Sequence, residues 1–252
     1  MSVLVLTYHA IGRDGGALGI EPELFGEQLD VLLDAGASFL TVAQVAAAVD
    51  GGRLPARAVA VTFDDGLTSV AQDAAPILAE RGLPATVFCV AGRLGAESDW
   101  PSARPGAPRF PLMTAQQLAE LAAAGFEIGS HGMEHAPLVA GSEPQLYREV
   151  IDSRLVLEQA VGVPVTSFAY PYGAGPTPVA RSLVEKTYTA ACTTTLGPVT
   201  GGVDLHALPR VDVHYLRSPQ LLRRALSGSL GPYLRARGLG ARARRVLAKD
   251  YA

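Results

Sequence analysis

The chain has 252 residues, 48% of them hydrophobic, and a formal net charge of −3, which favours one large domain over two small ones. Residues 1–216 hold 12 basic and 23 acidic side chains (net −11), whereas residues 217–252 hold nine basic and one acidic (net +8). An acidic body excludes a polycationic nucleic-acid face and disfavours strongly anionic polymers as substrates, while the basic end could meet an anionic surface.

In chain order, Val3–Thr7 reads as a strand. It has no basic segment before it and is too short to span a membrane, so a cytoplasmic protein is expected. Helical patterns over Glu23–Ala35 and Val42–Val49 lead to a second strand, Ala58–Phe63, then a helix over Val70–Arg81 and a strand over Ala85–Val90. Ala96–Leu112 is a long irregular stretch with the only tryptophan, Trp100, and a loop of that length is expected at the mouth of a site. A helix over Ala115–Ala124, capped by Thr114 and stopped by Gly125, precedes a strand at Glu127–Gly129. There follow a helix at Glu143–Val161, a strand at Ser167–Ala169, a helix at Pro178–Lys186, and strands at Thr189–Cys192 and Leu208–Val211. Short apolar runs alternating with helices predict an α/β fold around a mostly parallel sheet. Cys89 and Cys192 lie in apolar runs and read as buried reduced thiols.

The polar residues fall at predicted strand ends. His9 follows the first strand, Asp64 and Asp65 the second, His131 the fourth and Pro171-Tyr172-Gly173 the fifth. Groups beyond the C-terminal ends of parallel strands line ligand sites in barrels and open sheets alike. Asp-Asp-Gly alone is ordinary turn chemistry, but two adjacent carboxylates at a strand end repel unless a cation or proton separates them. His131 and His135, four apart, would share one face of a helix, with Cβ atoms roughly 5–6 Å apart and able to chelate one ion. Glu134 would point elsewhere. Two imidazoles and a carboxylate around one divalent ion, with a second carboxylate free, is a donor set for metal-assisted hydrolysis.

Thr62-Phe63-Asp64-Asp65-Gly66, His131-Gly132-Met133-Glu134-His135 and Phe168-Ala169-Tyr170-Pro171-Tyr172-Gly173 resemble the polysaccharide deacetylase family, the NodB-homology carbohydrate esterases. The likeness runs from about Val3 to Val213 and implies an irregular (β/α) barrel of about seven strands over residues 1–216, while the charge pattern of 217–252 reads as a basic helical tail. It further implies Asp64 as general base, and Asp65, His131 and His135 as ligands of a divalent metal, zinc first, with Co2+, Ni2+ or Fe2+ as alternatives. Tyr172 would lend its backbone N–H to an oxyanion hole. The implied activity is removal of acetyl groups from N-acetylated amino sugars in polysaccharides, oligosaccharides or lipid-linked sugars. An amidase, an O-acetyl esterase or a non-catalytic carbohydrate-binding module are the alternatives.

Leu6-Thr7-Tyr8-His9 resembles the circularly permuted branch of the family, which includes poly-N-acetylglucosamine deacetylases, and makes His9 the expected general acid. His214, in Val213-His214, is the runner-up for that role, and His206 reads as a loop histidine. Pro171, Tyr172, Trp100 and His214 are the expected substrate contacts. The chain departs from the family at Ala169, where an arginine commonly orients the base. Arg210, at the end of another predicted strand, is the candidate to replace it. In the tail, Arg235, Arg237, Arg242, Arg244 and Arg245 cluster on an amphipathic pattern, which suits a solvated helical face or peripheral contact with anionic lipid.

Overall fold

A computed structural model of the chain describes residues 1–13, 16–103, 106–173 and 175–230, together with Tyr233 and Arg237. Seven strands form its centre: β1 (Ser2–Tyr8), β2 (Ala58–Phe63), β3 (Thr86–Cys89), β4 (Glu127–Ser130), β5 (Ser167–Ala169), β6 (Ala190–Leu196) and β7 (Leu208–Asp212). The spatial order is β1-β7-β6-β5-β4-β3-β2, and β2 pairs back onto β1. Every one of these pairings is parallel. The sheet is therefore a closed seven-stranded (β/α) barrel, as expected. Two short strands extend it from outside, Ser38–Leu40 on β2 and Val199–Thr200 on β1.

Closure buries both faces of the strands, which is why β2 is apolar almost throughout and all six of its residues are buried. Strand alternation separates the two faces. Val3, Val5, Ala58, Ala60 and Leu208 belong to one apolar cluster, while Leu4, Leu6, Val59, Val61, Phe63 and Val211 belong to the larger one shared with the helices. The same alternation continues Ala58 and Ala60 into Thr62 and Asp64, and Leu208 into Arg210. A strand pattern alone thus brings a carboxylate and a guanidinium to one face.

The surrounding helices match their expected positions, with two local differences. Val70–Ala74 is a π-helical turn before the α-helix Ala75–Glu80. Pro76 cannot donate to the carbonyl four residues back, and the wider turn accommodates that loss. The expected helix over 143–161 is likewise interrupted by a π-helical turn at Arg148–Asp152. There the Ser153 hydroxyl takes the carbonyl of Glu149 (2.7 Å) and the Tyr188 hydroxyl that of Val150 (2.7 Å), so side chains occupy acceptors that helical N–H groups would use.

Thr114 caps Ala115–Ala123 through a capping box with Gln117, and Gly125 follows the helix at φ +92°. Cys89 and Cys192 are free and buried. Beyond residue 216, the helix Pro219–Leu226 lays Leu222 into the main core, and Leu230 joins it. Arg235, Arg242, Arg244 and Arg245 lie outside the described residues. Arg237 sits over the rings of Tyr215 and Tyr233. Among the described residues, no helix is long and apolar enough to cross a membrane.

Candidate active site

Asp64 leaves the C-terminal end of β2 4% exposed. Arg210, 1% exposed on β7, grips it with both prongs: Nη1 donates to Oδ1 and Nη2 to Oδ2, each at 2.7 Å. Two further guanidinium donors are also engaged, Nη1 by the Thr62 hydroxyl (3.2 Å) and Nε by the Thr193 carbonyl (3.1 Å). Thr62 in turn donates to the Leu6 carbonyl at 2.8 Å. This fork-to-fork pair fixes the carboxylate plane as well as its charge. Burial alone would raise the Asp64 pKa, but Arg210 outweighs it and holds the carboxyl far below the ordinary range.

Position 169, where the resemblance leads one to expect a guanidinium, contributes a backbone group instead. His131 Nδ1 donates to the Ala169 carbonyl at 2.8 Å. A carbonyl can only accept, so the proton is on Nδ1 and the Nε2 lone pair is left free, the arrangement usual for a metal-ligating histidine.

Asp65 turns away from Asp64 through a left-handed backbone (φ 72°). Its Oδ1 lies 3.6 Å from His131 Nε2 and 3.4 Å from His135 Nε2. The three ligand atoms lie within 4.8 Å of one another, and all three residues are buried. Those separations are long for hydrogen bonds. They are close to the separation of about 3.3 Å between donors placed tetrahedrally around an ion at about 2.0–2.1 Å. Burial raises the Asp65 carboxyl and pushes the His135 imidazole well below its ordinary value, helped in the second case by neighbouring His131. A buried carboxyl oxygen facing two imidazole nitrogens beyond hydrogen-bond length is a place for a cation, and the donor set fits a divalent metal.

The loop between the imidazoles is not the helical turn that their spacing predicted. His131 to His135 follow no helix, and Gly132 (φ +86°) and His135 (φ +57°) are left-handed. The two rings meet at 4.8 Å because the chain doubles back, not because they share a helix face. Glu134 does point elsewhere, pairing with Arg93 (2.9 Å) and Arg148 (3.1 Å). Among the described residues four non-glycines have positive φ, namely Arg57, Asp65, His135 and Tyr172. Three of them sit here, where strain of this kind is commonly held by a functional site.

His9 follows the last residue of β1 and is half-buried. Tyr8 pairs with Phe63, and the Asp64 N–H donates to the Tyr8 carbonyl (3.0 Å), so His9 and Asp64 leave adjacent strands at the same end of the barrel. His214, also half-buried, lies in the 3-10 turn Val213–Leu216 after β7, with its pKa lowered mainly by burial. His206 lies in the 3-10 turn Leu205–Ala207 before β7, and Tyr188's carbonyl accepts from its Nε2 at 2.8 Å.

The outer wall is aromatic. Trp100 stacks on the His135 ring (4.8 Å) and Tyr172 meets it edge-on (4.6 Å). Ser102 donates to the His135 carbonyl (3.1 Å) and accepts from the Tyr172 hydroxyl (2.8 Å). Arg93 ties this loop down by bridging Asp99 (3.0 Å) to Glu134. Pro171 is buried beside Tyr172 in the turn that follows β5. Truncating Trp100 to Ala removes an aromatic pair worth about 0.5–1.5 kcal/mol. It is expected to raise KM for a glycan up to about tenfold, with a smaller change in kcat, in initial-rate measurements. Equal falls in kcat and kcat/KM would instead mark a group acting only in the transition state.

Sequence reasoning missed Glu149, which lies under the His131–His135 loop. Its signal was available: Leu146, Glu149, Val150, Ser153 and Leu157 form one helical stripe, buried throughout, and Glu149 is its only charged member.

A family model of polysaccharide deacetylases matches residues 51–191. The chain is 27% identical over 210 residues to the YxkH protein of Bacillus subtilis, covering 83% of this chain and 70% of that one. It is also 27% identical over 158 residues to a poly-beta-1,6-N-acetyl-D-glucosamine N-deacetylase of Staphylococcus aureus. That match covers 59% of this chain and 52% of the relative, so the likeness spans about half of the staphylococcal protein. Among solved structures, the Streptococcus pyogenes deacetylase PplD, in complex with acetate, superposes with a TM-score of 0.77 at 25% identity, covering 90% of this chain and 98% of that one. IcaB from Ammonifex degensii gives 0.77 at 26% identity, with 90% and 97% covered.

Proposed function

The chain belongs to the polysaccharide deacetylase family, and from that premise we propose that it hydrolyses the N-acetyl groups of amino sugars, in glycan or lipid-linked form, with a divalent metal held by Asp65, His131 and His135. The observation that carries this reading is the division of labour between adjacent carboxylates. Asp64 is occupied by Arg210, whereas Asp65 faces the Nε2 atoms of two imidazoles, and the Ala169 carbonyl orients His131 so that its lone pair points there.

When bound, the metal, zinc by preference, supplies Lewis-acid polarisation of the acetamide carbonyl and lowers the pKa of water to about 7. The protein's own groups do the rest. Asp64, kept ionised and in one plane by Arg210, accepts the proton that water loses as it attacks the carbonyl carbon. A strongly depressed carboxylate is a weak base, and it suffices because the water is itself made more acidic. The Tyr172 N–H, in its left-handed turn, donates to the carbonyl oxygen as negative charge collects there. His9, at the end of β1, delivers a proton to the nitrogen as the C–N bond breaks, releasing acetate and the free amine. Its place next to Tyr8, whose carbonyl accepts from the Asp64 N–H, supports this role over that of His214. The Trp100 and Tyr172 rings offer an apolar face for a sugar ring beside the metal.

The test is acetate release across a panel of N-acetylated glycans, with metal content measured on the same sample. Stripping the metal is expected to abolish release, and stoichiometric zinc to restore it. Release that survives full metal removal, or none from any N-acetylated glycan, would sink the proposal.

A further inference from the structure

The loop that carries both imidazoles has almost every backbone polar group accounted for. The His131 N–H donates to the Cys89 carbonyl (2.8 Å) and the Gly132 N–H to the Ser130 hydroxyl (3.2 Å). The carbonyls of Gly132 and Met133 accept from the Ala91 and Gly92 amides, each at 2.9 Å. The Met133 and Glu134 amides converge on one side chain. Glu149 accepts from the Met133 N–H at 2.9 Å and from the Glu134 N–H with both oxygens at 3.2 Å, and the Ala136 amide also acts on it.

Glu149 is 6% exposed and makes no ion pair among the described residues. A π-helical turn delivers it, and the Ser153 hydroxyl that holds that turn also meets Ser130 at the start of the loop (2.9 Å). The fit is close on the loop side as well. A Cβ on Gly132 would come 2.6 Å from Glu149 Oε2, so only glycine admits the carboxylate here. With the peptide carbonyls pinned on one flank and the amides on the other, the left-handed course of Gly132 and His135 has no freedom to relax.

We propose that Glu149 is a positioning residue, its carboxylate clamping the Met133 and Glu134 amides so that His135 is held in ligating register with His131 and Asp65. This rests on the reading of those three residues as metal ligands. Without the clamp, two amides in a tight, mostly buried loop lose their acceptor. Rotation about Gly132 and His135 would then recover hydrogen bonds by swinging the second imidazole away.

The experiment is zinc affinity, read by competition with a chromophoric chelator and without substrate, for the full chain and for Glu149→Gln. A glutamine side chain keeps one acceptor and turns an NH2 toward the amides. Its zinc affinity is expected to fall at least tenfold, with the metal-free melting curve still cooperative, and Glu149→Asp should recover part of the loss. A merely structural glutamate would lower the metal-free melting temperature and leave zinc affinity unchanged, which would overturn the proposal. Should Glu149→Gln not fold, Gly132→Ala attacks the same clamp from the loop side, and wild-type affinity there would overturn it equally. A wild-type chain that binds no zinc would sink the metal-site reading and this inference together, whereas tight zinc binding by wild type and variant alike sinks only the inference.

Discussion

Replacing Asp64 by Asn is expected to lower kcat by roughly a hundred- to ten-thousandfold while the protein retains its metal. The two effects separate because the adjacent carboxylates face different partners. Asp65, turned aside by its left-handed backbone, is the one near His131 and His135, and the Asp64→Asn change removes nothing from that trio. The amide keeps the shape of the base and cannot accept the proton of the attacking water. It also gives Arg210 one acceptor where two stood and no counter-charge, at a position where the guanidinium is almost wholly buried. Breaking a buried pair by neutralising one partner costs about 3–5 kcal/mol, so the melting temperature should fall as well, by about 2–4 °C per kcal/mol for a domain of this size. Metal content, turnover and a melting curve on one sample decide the matter. Turnover within tenfold of wild type would remove Asp64 from the role of base, and loss of metal would mean that the two carboxylates share the ion.

How far the site was legible follows from which contacts are periodic. The barrel was legible because closure buries both faces of each strand and leaves continuous apolar runs such as Ala58-Val59-Ala60-Val61. The strand ends were legible because polar, titratable residues break off the apolar runs there, as at His9, Asp64 and His131. Arg210 could be found by asking which other strand end offers a guanidinium once Ala169 does not, and alternation along β7 put it on the face of Asp64. The His131–His135 loop was not legible in its conformation. A spacing of four is common to a helix and to a left-handed loop, and what distinguishes them here is Gly132 together with the carboxylate of Glu149, which comes from a separate element. The course of the loop through Trp100 and Ser102 depends on Arg93, Asp99 and Glu134, a network with no period in sequence.

Arg210→Ala should destabilise the protein about as much as Asp64→Asn, and its signature should depend on pH. In the wild type, Arg210 holds the folded-state pKa of Asp64 below its ordinary value. The pair therefore contributes stability that is present above about pH 3.9, the ordinary aspartate value, and is lost only as pH falls through the lower folded value. Without the guanidinium, burial dominates and the carboxyl's folded pKa rises above that ordinary value. Stability is then fully present in acid and declines as pH rises through the raised value, so the sign is reversed. At neutral pH the variant should be destabilised by about 3–5 kcal/mol, and the gap in melting temperature should narrow as both metal-free proteins are taken toward pH 4. In turnover, the acid limb of the pH profile should move upward, because the base now needs a higher pH to ionise. Arg210→Lys separates charge from geometry. An ammonium restores much of the electrostatic effect and so brings the acid limb back, but it cannot grip both carboxylate oxygens, and kcat should stay about tenfold or more below wild type. An Arg210→Ala protein with wild-type kcat and an unmoved acid limb would show that Asp64 needs no guanidinium, and the departure at Ala169 would then have no compensation in β7.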